Sequence, residues 1–310
     1  MKIVFMGTPE FAVASLDILV SNNYDVAAVV TVPDKPAGRG QQLSESAVKK
    51  YAVEKGIKVL QPEKLRNPDF IAELQSLNAD LFIVVAFRML PEVVWTMPSK
   101  GTFNLHGSLL PQYRGAAPIN WAVINGDHET GVTTFFLKHE IDTGNIIFNV
   151  HTPITDQDNA GTIHDRLMEI GAELVLKTVK AIENNEVIAK TQDDVIAELG
   201  LQPSDLRHAP KIFKDDCKID WNQSTEKIFN LIRGLSPYPT AFTELNGLGL
   251  KIFKVEKELE NHGKTPGEVV SDGKKFLKFT TDDGYINVLE LQLQGKKRMT
   301  TEDFLRGYKL

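Results

Sequence analysis

An amide and an imidazole two positions apart stand at Asn104 and His106, in the stretch Asn104-Leu-His-Gly-Ser-Leu-Leu-Pro111. Residues Thr102 to His106 alternate with the period of a strand, so the two side chains project from one face near its carboxyl end. In open α/β sheets that edge is where ligands bind. An amide can hold a carbonyl oxygen there, and an imidazole, the side-chain type that titrates near neutrality, can move a proton. The same triplet can also simply close a turn, since short motifs carry little by themselves. Asp142, in Ile141-Asp-Thr-Gly-Asn145, reads locally as a turn residue whose carboxylate caps the following N–H groups. Ser108 lacks the G-x-S-x-G setting of a nucleophile and reads as a loop-shaping hydroxyl, while His139 reads as an exposed loop histidine.

The elements that must position these groups alternate strand and helix patterns. Lys2–Gly7 is a buried strand ending in a glycine turn, with Thr8 as candidate N-cap and Pro9 at the first helical position. The turn lacks G-x-G-x-x-G, which excludes a nicotinamide site. A strand at 26–32 leads into a loop at 33–42, which exceeds the ~2–6 residues usual for such connections and carries Lys35 and Arg39. Helix 45–55, strand 57–60, helix 68–77 and the apolar run 79–87 follow. Near-continuous apolar strands argue for a mostly parallel, Rossmann-like sheet with helices on both faces. Strands at 132–137 and 146–154 and a long amphipathic helix at 162–184 complete this part.

From 190 to 220 the periodicity dissolves, then a helix at 224–235 precedes five short strand patterns separated by Gly and Asp turns. These predict a small β-barrel, OB-like domain closed by a helix that Thr300 to Asp303 can cap. The expected division is therefore 1–190, a linker at 191–220, and 221–310.

Composition narrows the function classes. No apolar run reaches the ~20 residues of a membrane span, and the chain opens directly on a strand pattern, without a secretory signal. The single cysteine, Cys217, permits no internal disulfide and suits a reducing cytoplasm. No clustered ligand spacing calls for a metal. Residues 208–310 carry 17 Lys plus Arg against 15 Asp plus Glu, whereas the rest carries 18 against 26. A locally basic balance in an acidic chain is compatible with a polyanion partner, though it also describes an ordinary solvated surface.

Several motifs, in order, resemble the bacterial methionyl-tRNA formyltransferase family: Met6-Gly-Thr-Pro-Glu-Phe, Pro33-Asp-Lys-Pro-Ala-Gly-Arg-Gly, Asn104-x-His-x-Ser-Leu-Leu-Pro, Arg114-Gly-Ala-Ala-Pro-Ile, Glu129-Thr-Gly-Val-Thr and Asp142-Thr-Gly. The resemblance continues through Lys211-Ile-x-Lys, Ile219-Asp-Trp, Ile232-Arg-Gly-Leu-Ser-Pro-Tyr-Pro and Lys297-Arg-Met-Thr. It implies transfer of a formyl group from 10-formyltetrahydrofolate to the α-amine of methionyl initiator tRNA, by a monomer that needs no metal. Its catalytic trio maps onto Asn104, His106 and Asp142. An amide donor suits a tetrahedral oxyanion. The imidazole can donate to that oxyanion or shuttle the proton, and the carboxylate can orient the imidazole or take the amine proton. The residue types leave open which group accepts it.

By the same resemblance the folate is expected against Phe87, Arg88, Met89, Leu90, Ser108, Leu109, Leu110, Pro111 and Ile141. Here the chain departs from the family: Ala86-Phe-Arg-Met-Leu-Pro replaces an Ala-Tyr-Gly-x-x-Leu-like stretch, and His139-Glu-Ile141 replaces a Gly-Leu. The tRNA is expected at Lys35 and Arg39, with Arg39 sensing the mispaired acceptor end, and at Lys251, Lys254, Lys296, Lys297 and Arg298 along phosphates. Two alternatives stand beside this one: a related enzyme that formylates a nucleotide-linked amino sugar, and an RNA-binding protein whose α/β part is catalytically idle.

Overall fold

A computed structural model describes residues 1–37 and 42–310. Contacts divide the chain into two compact units. The first comprises Met1–Gly115, Gly131–Thr152 and His164–His208; the second comprises Ala116–Thr130, Pro153–Ile163 and Ala209–Leu310. The stretch expected as a linker, 191–220, is thus shared between the units, which change over after His208.

In chain order the elements begin with β1 (Lys2–Gly7), α1 (Glu10–Ser21), β2 (Asp25–Val30), β3 (Lys35–Ala37), β4 (Gln42–Ser44) and α2 (Ala47–Glu54). Next come β5 (Val59–Leu60), α3 (Pro68–Ser76), β6 (Leu81–Val85), α4 (Glu92–Trp95), β7 (Thr102–His106) and β8 (Arg114–Gly115). Then follow α5 (Pro118–Ile124), β9 (Glu129–Phe136), β10 (Ile146–Pro153), α6 (Ala160–Glu183), α7 (Gln192–Glu198) and β11 (His208–Ala209). The remainder holds α8 (Thr225–Gly234), β12 (Ala241–Leu245), β13 (Leu248–Leu259), β14 (Val269–Ser271), β15 (Leu277–Thr280), β16 (Gly284–Leu293), β17 (Met299–Thr300) and α9 (Thr301–Gly307).

The first unit is built on a seven-stranded sheet in the order β10-β9-β7-β6-β1-β2-β5. Strands β5, β2, β1, β6 and β7 run parallel, and β9 runs antiparallel to β7. Every residue of β6 is buried, as a strand covered on both faces requires. One face packs Val4, Met6, Phe82 and Val84 against Phe70 and Leu74 of α3 and Val94 of α4. On the other face α6 comes close to β7: a Cβ at Gly171 would lie 2.9 Å from the Leu105 side chain, so a glycine lets the helix seat there. The Thr134 and Thr178 hydroxyls share a hydrogen bond of 2.9 Å across the same contact. Asn104 is in register with Val84, so Asn104 and His106 face the α3/α4 side while Leu105 faces α6.

Two helix starts differ from the sequence reading. Pro9, extended at ψ 176°, occupies the N-cap of α1 with no side-chain cap, so Thr8 does not take that role. Helix α2 begins at Ala47, two residues after the expected Glu45, because the Ser46 hydroxyl accepts from Lys49 N at 3.1 Å and makes Ser46 the N-cap. The expected loop at 33–42 carries the short β3–β4 pair, with Lys35 opposite Ser44.

The second unit holds an antiparallel sheet in the order β12-β13-β16-β15-β14, with β17 beside β16. Its end strands β12 and β14 are not paired with each other, so the expected barrel is an open half-barrel. Helix α8 fills the concavity: Ile228, Phe229, Ile232 and Leu235 pack with Ile252, Phe279, Ile286 and Leu291. Thr300 caps α9, accepting from Asp303 N at 3.2 Å, as its position in the sequence predicts.

Candidate active site

Strand β7 presents Asn104 and His106 differently. His106 is buried, and its Nε2 lies 2.8 Å from the carbonyl oxygen of Tyr113. A carbonyl only accepts, so Nε2 carries a proton and donates it, which leaves Nδ1 as the nitrogen free for chemistry. Phe135 abuts the imidazole edge-on, with ring centroids 6.4 Å apart. Tyr113 turns its carbonyl toward the ring by adopting φ 61°. Arg207 holds it there: its carbonyl accepts from Tyr113 N at 2.6 Å, and its Nη1 donates to the Tyr113 hydroxyl at 3.0 Å. Asn104 is only half-buried, and among the described residues its amide forms no hydrogen bond with the protein.

Asp142 arrives from the turn between β9 and β10. Its Oδ2 lies 3.9 Å from His106 Nδ1 and accepts from Gly115 N at 3.0 Å. The 3.9 Å gap is long for a direct hydrogen bond, yet one polar atom can touch both groups at ordinary distances. The turn is unusual for its residues. Asp142 has φ 55°, in the left-handed region. Two residues on, a Cβ at Gly144 would stand 1.6 Å from the Phe136 carbonyl oxygen, so only glycine passes there. Gln192, the first residue of α7, donates through Nε2 to the carbonyls of Asp142 (2.7 Å) and Gly144 (3.0 Å). Its Oε1 accepts from Nε and Nη2 of Arg114 at 2.9 and 2.6 Å.

The residues expected around a folate fall into two groups. Ser108, Leu110 and Pro111 are buried in the turn after β7. The Ser108 hydroxyl donates to the Gln112 carbonyl at 2.7 Å, and Leu110 N donates to Thr133 Oγ1 at 3.1 Å, so these groups shape the turn. Leu110 packs with Phe135 and Ile146, while Leu109 is half-buried against Gly131. The second group is more open. After β6 the chain turns at Ala86 (φ 48°), and among the described residues no backbone group of Phe87 to Leu90 takes part in a hydrogen bond. Met89 and Ile141 are 69% and 58% exposed, whereas Leu90 is buried. Arg88 bonds elsewhere: its guanidinium donates to the Pro62 and Glu63 carbonyls at 2.8 and 3.0 Å and lies over the Phe87 ring. Burial pushes its pKa below the ordinary arginine value. This loop therefore offers unpaired backbone groups beside apolar side chains, the combination that a flat heterocycle with amide-like edges fits.

Of the expected tRNA contacts, Lys35 is exposed, and Arg39 lies outside the described residues. Lys251 and Lys254 both point outward because a bulge at Phe253 shifts the register, placing them opposite Gln292 and Glu290. Lys296 and Lys297 occupy the exposed turn between β16 and β17. Arg298 is engaged by Glu290 and lies 4.3 Å over the Phe253 ring, so its charge is partly neutralised. Among the described residues no group of His, Cys, Asp and Glu is arranged to hold a metal, and no helix is long and apolar enough to cross a membrane.

The sequence reading missed Tyr113, Arg114 and Gln192. Arg114 opens a quoted motif and Tyr113 directly precedes it, but nothing local marks their roles. Gln192 follows a threonine in aperiodic sequence, and only the folded contacts reveal it.

Comparison with known proteins adds the following. Residues 1–179 match the family described as formyl transferase, and residues 211–309 match its C-terminal domain. The chain is 56% identical over its whole length to the methionyl-tRNA formyltransferase of Bacteroides thetaiotaomicron, covering 96% of that protein. It is 58% identical to that of Phocaeicola vulgatus (100% of this chain, 96% of the relative) and 52% identical to that of Flavobacterium johnsoniae (99% and 96%). Among solved structures, the sugar 3N-formyl transferase WlaRD, crystallised with dTDP and 5-N-formyl-THF, has a TM-score of 0.67 at 22% identity, covering 96% of this chain and 99% of its own. HypX from Aquifex aeolicus in complex with tetrahydrofolic acid has a TM-score of 0.63 at 20% identity, covering 98% of this chain and 47% of its own. These two share the fold.

Proposed function

Since this chain belongs to the formyl transferase family, in its methionyl-tRNA formyltransferase branch, we propose that it moves the formyl group of 10-formyltetrahydrofolate onto the α-amine of methionyl initiator tRNA. The observation that carries the reading is the juxtaposition at the end of β7: an unpartnered amide, an imidazole with a free Nδ1, and a carboxylate 3.9 Å from that nitrogen. The folate supplies a formyl carbon already activated on nitrogen. The residues supply everything else.

The Asn104 amide donates to the oxygen that gains charge as the formyl carbon becomes tetrahedral, where a placed donor is worth ~10²–10³ in rate. Amine attack leaves a proton to be removed from nitrogen. Nδ1 of His106 and Oδ2 of Asp142 face one another closely enough for both to touch that nitrogen, or a water beside it. Once Nδ1 takes the proton, the resulting imidazolium is held between the Tyr113 carbonyl and the Asp142 carboxylate, and can return the proton to the departing folate nitrogen. Free backbone groups of Phe87 to Leu90, with Met89 and Ile141 as walls, hold the pterin. Residues 1–190 act as the transfer part and 221–310 as an RNA-contacting part, with Lys251, Lys254, Lys296 and Lys297 tracking phosphates and Lys35 and Arg39 reaching the acceptor end. The enzyme acts as a monomer in the cytoplasm.

The test is formyl transfer from 10-formyltetrahydrofolate to methionine-charged initiator tRNA, beside charged elongator tRNA and a nucleotide-linked amino sugar. Product on the initiator alone is expected, and Arg39→Ala should then narrow the gap in kcat/KM between initiator and elongator. Product on the sugar alone would overturn the acceptor assignment, and RNA binding without turnover would overturn the enzymatic one.

A further inference from the structure

We infer that Gln192 is a positioning residue of the transfer site: with Arg114 behind it, its amide holds the Asp142–Gly144 turn where the Asp142 carboxylate meets His106. This rests on the proposed role of Asp142. Gln192 is 3% exposed, and both ends of its amide are used. The two N–H groups go to the Asp142 and Gly144 carbonyls, and the oxygen accepts two N–H groups of Arg114. Carbonyls only accept and a guanidinium only donates, so the amide has one orientation and no spare capacity.

The clamp closes on itself. Arg114 orients Gln192, Gln192 holds the backbone of Asp142, and Gly115, next to Arg114, donates to the Asp142 carboxylate. One short strand, β8, thus governs both the backbone and the side chain of Asp142. The clamp is anchored from its own side as well. Lys190 pairs with Ile146 through two backbone hydrogen bonds of 2.8 and 2.9 Å, and Thr191 caps α7 by accepting from Asp194 N at 3.1 Å. The αL region is disfavoured for residues with a Cβ and aspartate visits it only occasionally, so hydrogen bonds to the turn help to hold Asp142 there. Two hydrogen bonds from a neutral amide, one to the Asp142 carbonyl and one to the Gly144 carbonyl, hold the turn there.

Gln192→Glu keeps the size and the Arg114 contact but turns an oxygen toward two carbonyls, so the turn is released. Partners that orient metal ligands cost ~10–100-fold in activity when mutated, and a partner that orients a reacting carboxylate acts in the same way. We expect kcat of Gln192→Glu to fall by about that factor, with KM for tRNA held within about threefold, because the proposed tRNA contacts lie outside the released turn. The decisive measurement is a double-mutant cycle with Asp142→Ala. If Gln192 acts through Asp142, adding Gln192→Glu to Asp142→Ala costs less than about twofold further. Additive losses would overturn the proposal, as would Gln192→Glu at wild-type kcat. Arg114→Lys keeps the cation and loses the bidentate donor, so it should fall in the same non-additive way and guards against a folding defect at Gln192, which thermal melts would report. Asp142→Ala retaining full kcat would instead refute the catalytic reading beneath it.

Discussion

The most direct quantitative test of the proposed transfer site is Asn104→Ala. The Asn104 backbone is locked between β6 and β9, in register with Val84 and Phe135, while its amide makes no hydrogen bond with the protein among the described residues. Truncation therefore removes no native side-chain bond, and the side chain is only half-buried, so the stability change should stay within about 1 kcal/mol. The transition state is different. A donor aimed at a developing oxyanion is worth ~2.7–4 kcal/mol, or ~10²–10³ in kcat. Single-turnover formyl transfer by rapid quench, with saturating folate and charged initiator tRNA, gives the chemical step directly. Steady-state KM for both substrates should remain within about threefold, since the bond strengthens only as charge develops. Asn104→Asp, close in shape but without the donor and carrying a charge toward the oxyanion, should be slower still than the alanine variant. Loss of kcat with an unchanged melting temperature supports the assignment. An alanine variant within about threefold of wild type would refute it, and so would a loss of rate matched by a several-degree fall in Tm.

Other substitutions probe the parts around it. Asp142→Ala should lower kcat and distort the pH–rate profile, because the imidazole loses the carboxylate facing Nδ1; an unchanged profile at full rate would remove Asp142 from the chemistry. Gly144→Ala would set a Cβ 1.6 Å from a backbone oxygen, so the turn must move, and a displacement of about 1 Å at Asp142 should cost on the order of 10²-fold in kcat; wild-type activity would show that the turn tolerates the shift. In the second unit, Arg233 is buried and donates to the Thr155 and Asp158 carbonyls at 2.9 and 3.2 Å and to Asn230 Oδ1 at 2.8 Å. Arg233→Ala removes a donor from each of these oxygens, although the Thr155 carbonyl keeps Asp158 N at 3.0 Å, and should destabilise by about 1–3 kcal/mol in urea unfolding, whereas a loss below about 1 kcal/mol would mean that water replaces the guanidinium. Joint replacement of Lys251 and Lys254 by alanine should reduce the salt slope of tRNA binding by about 2, one per phosphate contact; an unaltered slope would place the RNA elsewhere.

The fold class could be read from the sequence because hydrophobic period is a local property. The apolar run at 79–87, alternating with helix patterns, argues for a strand covered on both faces, and β6 is buried throughout. The same periodicity put Asn104 and His106 on one strand face, and the parallel register with β6 places that face on the α3/α4 side. Helix starts were less certain because capping depends on one hydroxyl: Ser46 caps α2, while Thr8, equally suited by type, does not cap α1. The C-terminal strands were visible as short alternating runs, but whether β12 and β14 meet depends on sheet curvature, which no single run encodes.

For the site, the sequence by itself determined which side chains were available: an amide, an imidazole and a carboxylate in recognisable motifs. Only the tertiary structure decided their chemical state and aim. The proton on His106 Nε2 is assigned by a carbonyl from Tyr113, whose left-handed backbone is secured by Arg207, 94 residues away in the chain. Asp142, a plain turn residue when read locally, faces His106 because Gly115 holds its carboxylate and Gln192 its backbone. Arg88, itself an expected folate contact, instead points its guanidinium at the Pro62 and Glu63 carbonyls. Apart from the His106–Tyr113 contact, these are hydrogen bonds between segments 25 or more residues apart in sequence. Residue type dictates the capacity to donate or accept, but the partner is chosen only when the sheet order brings distant loops to the same edge.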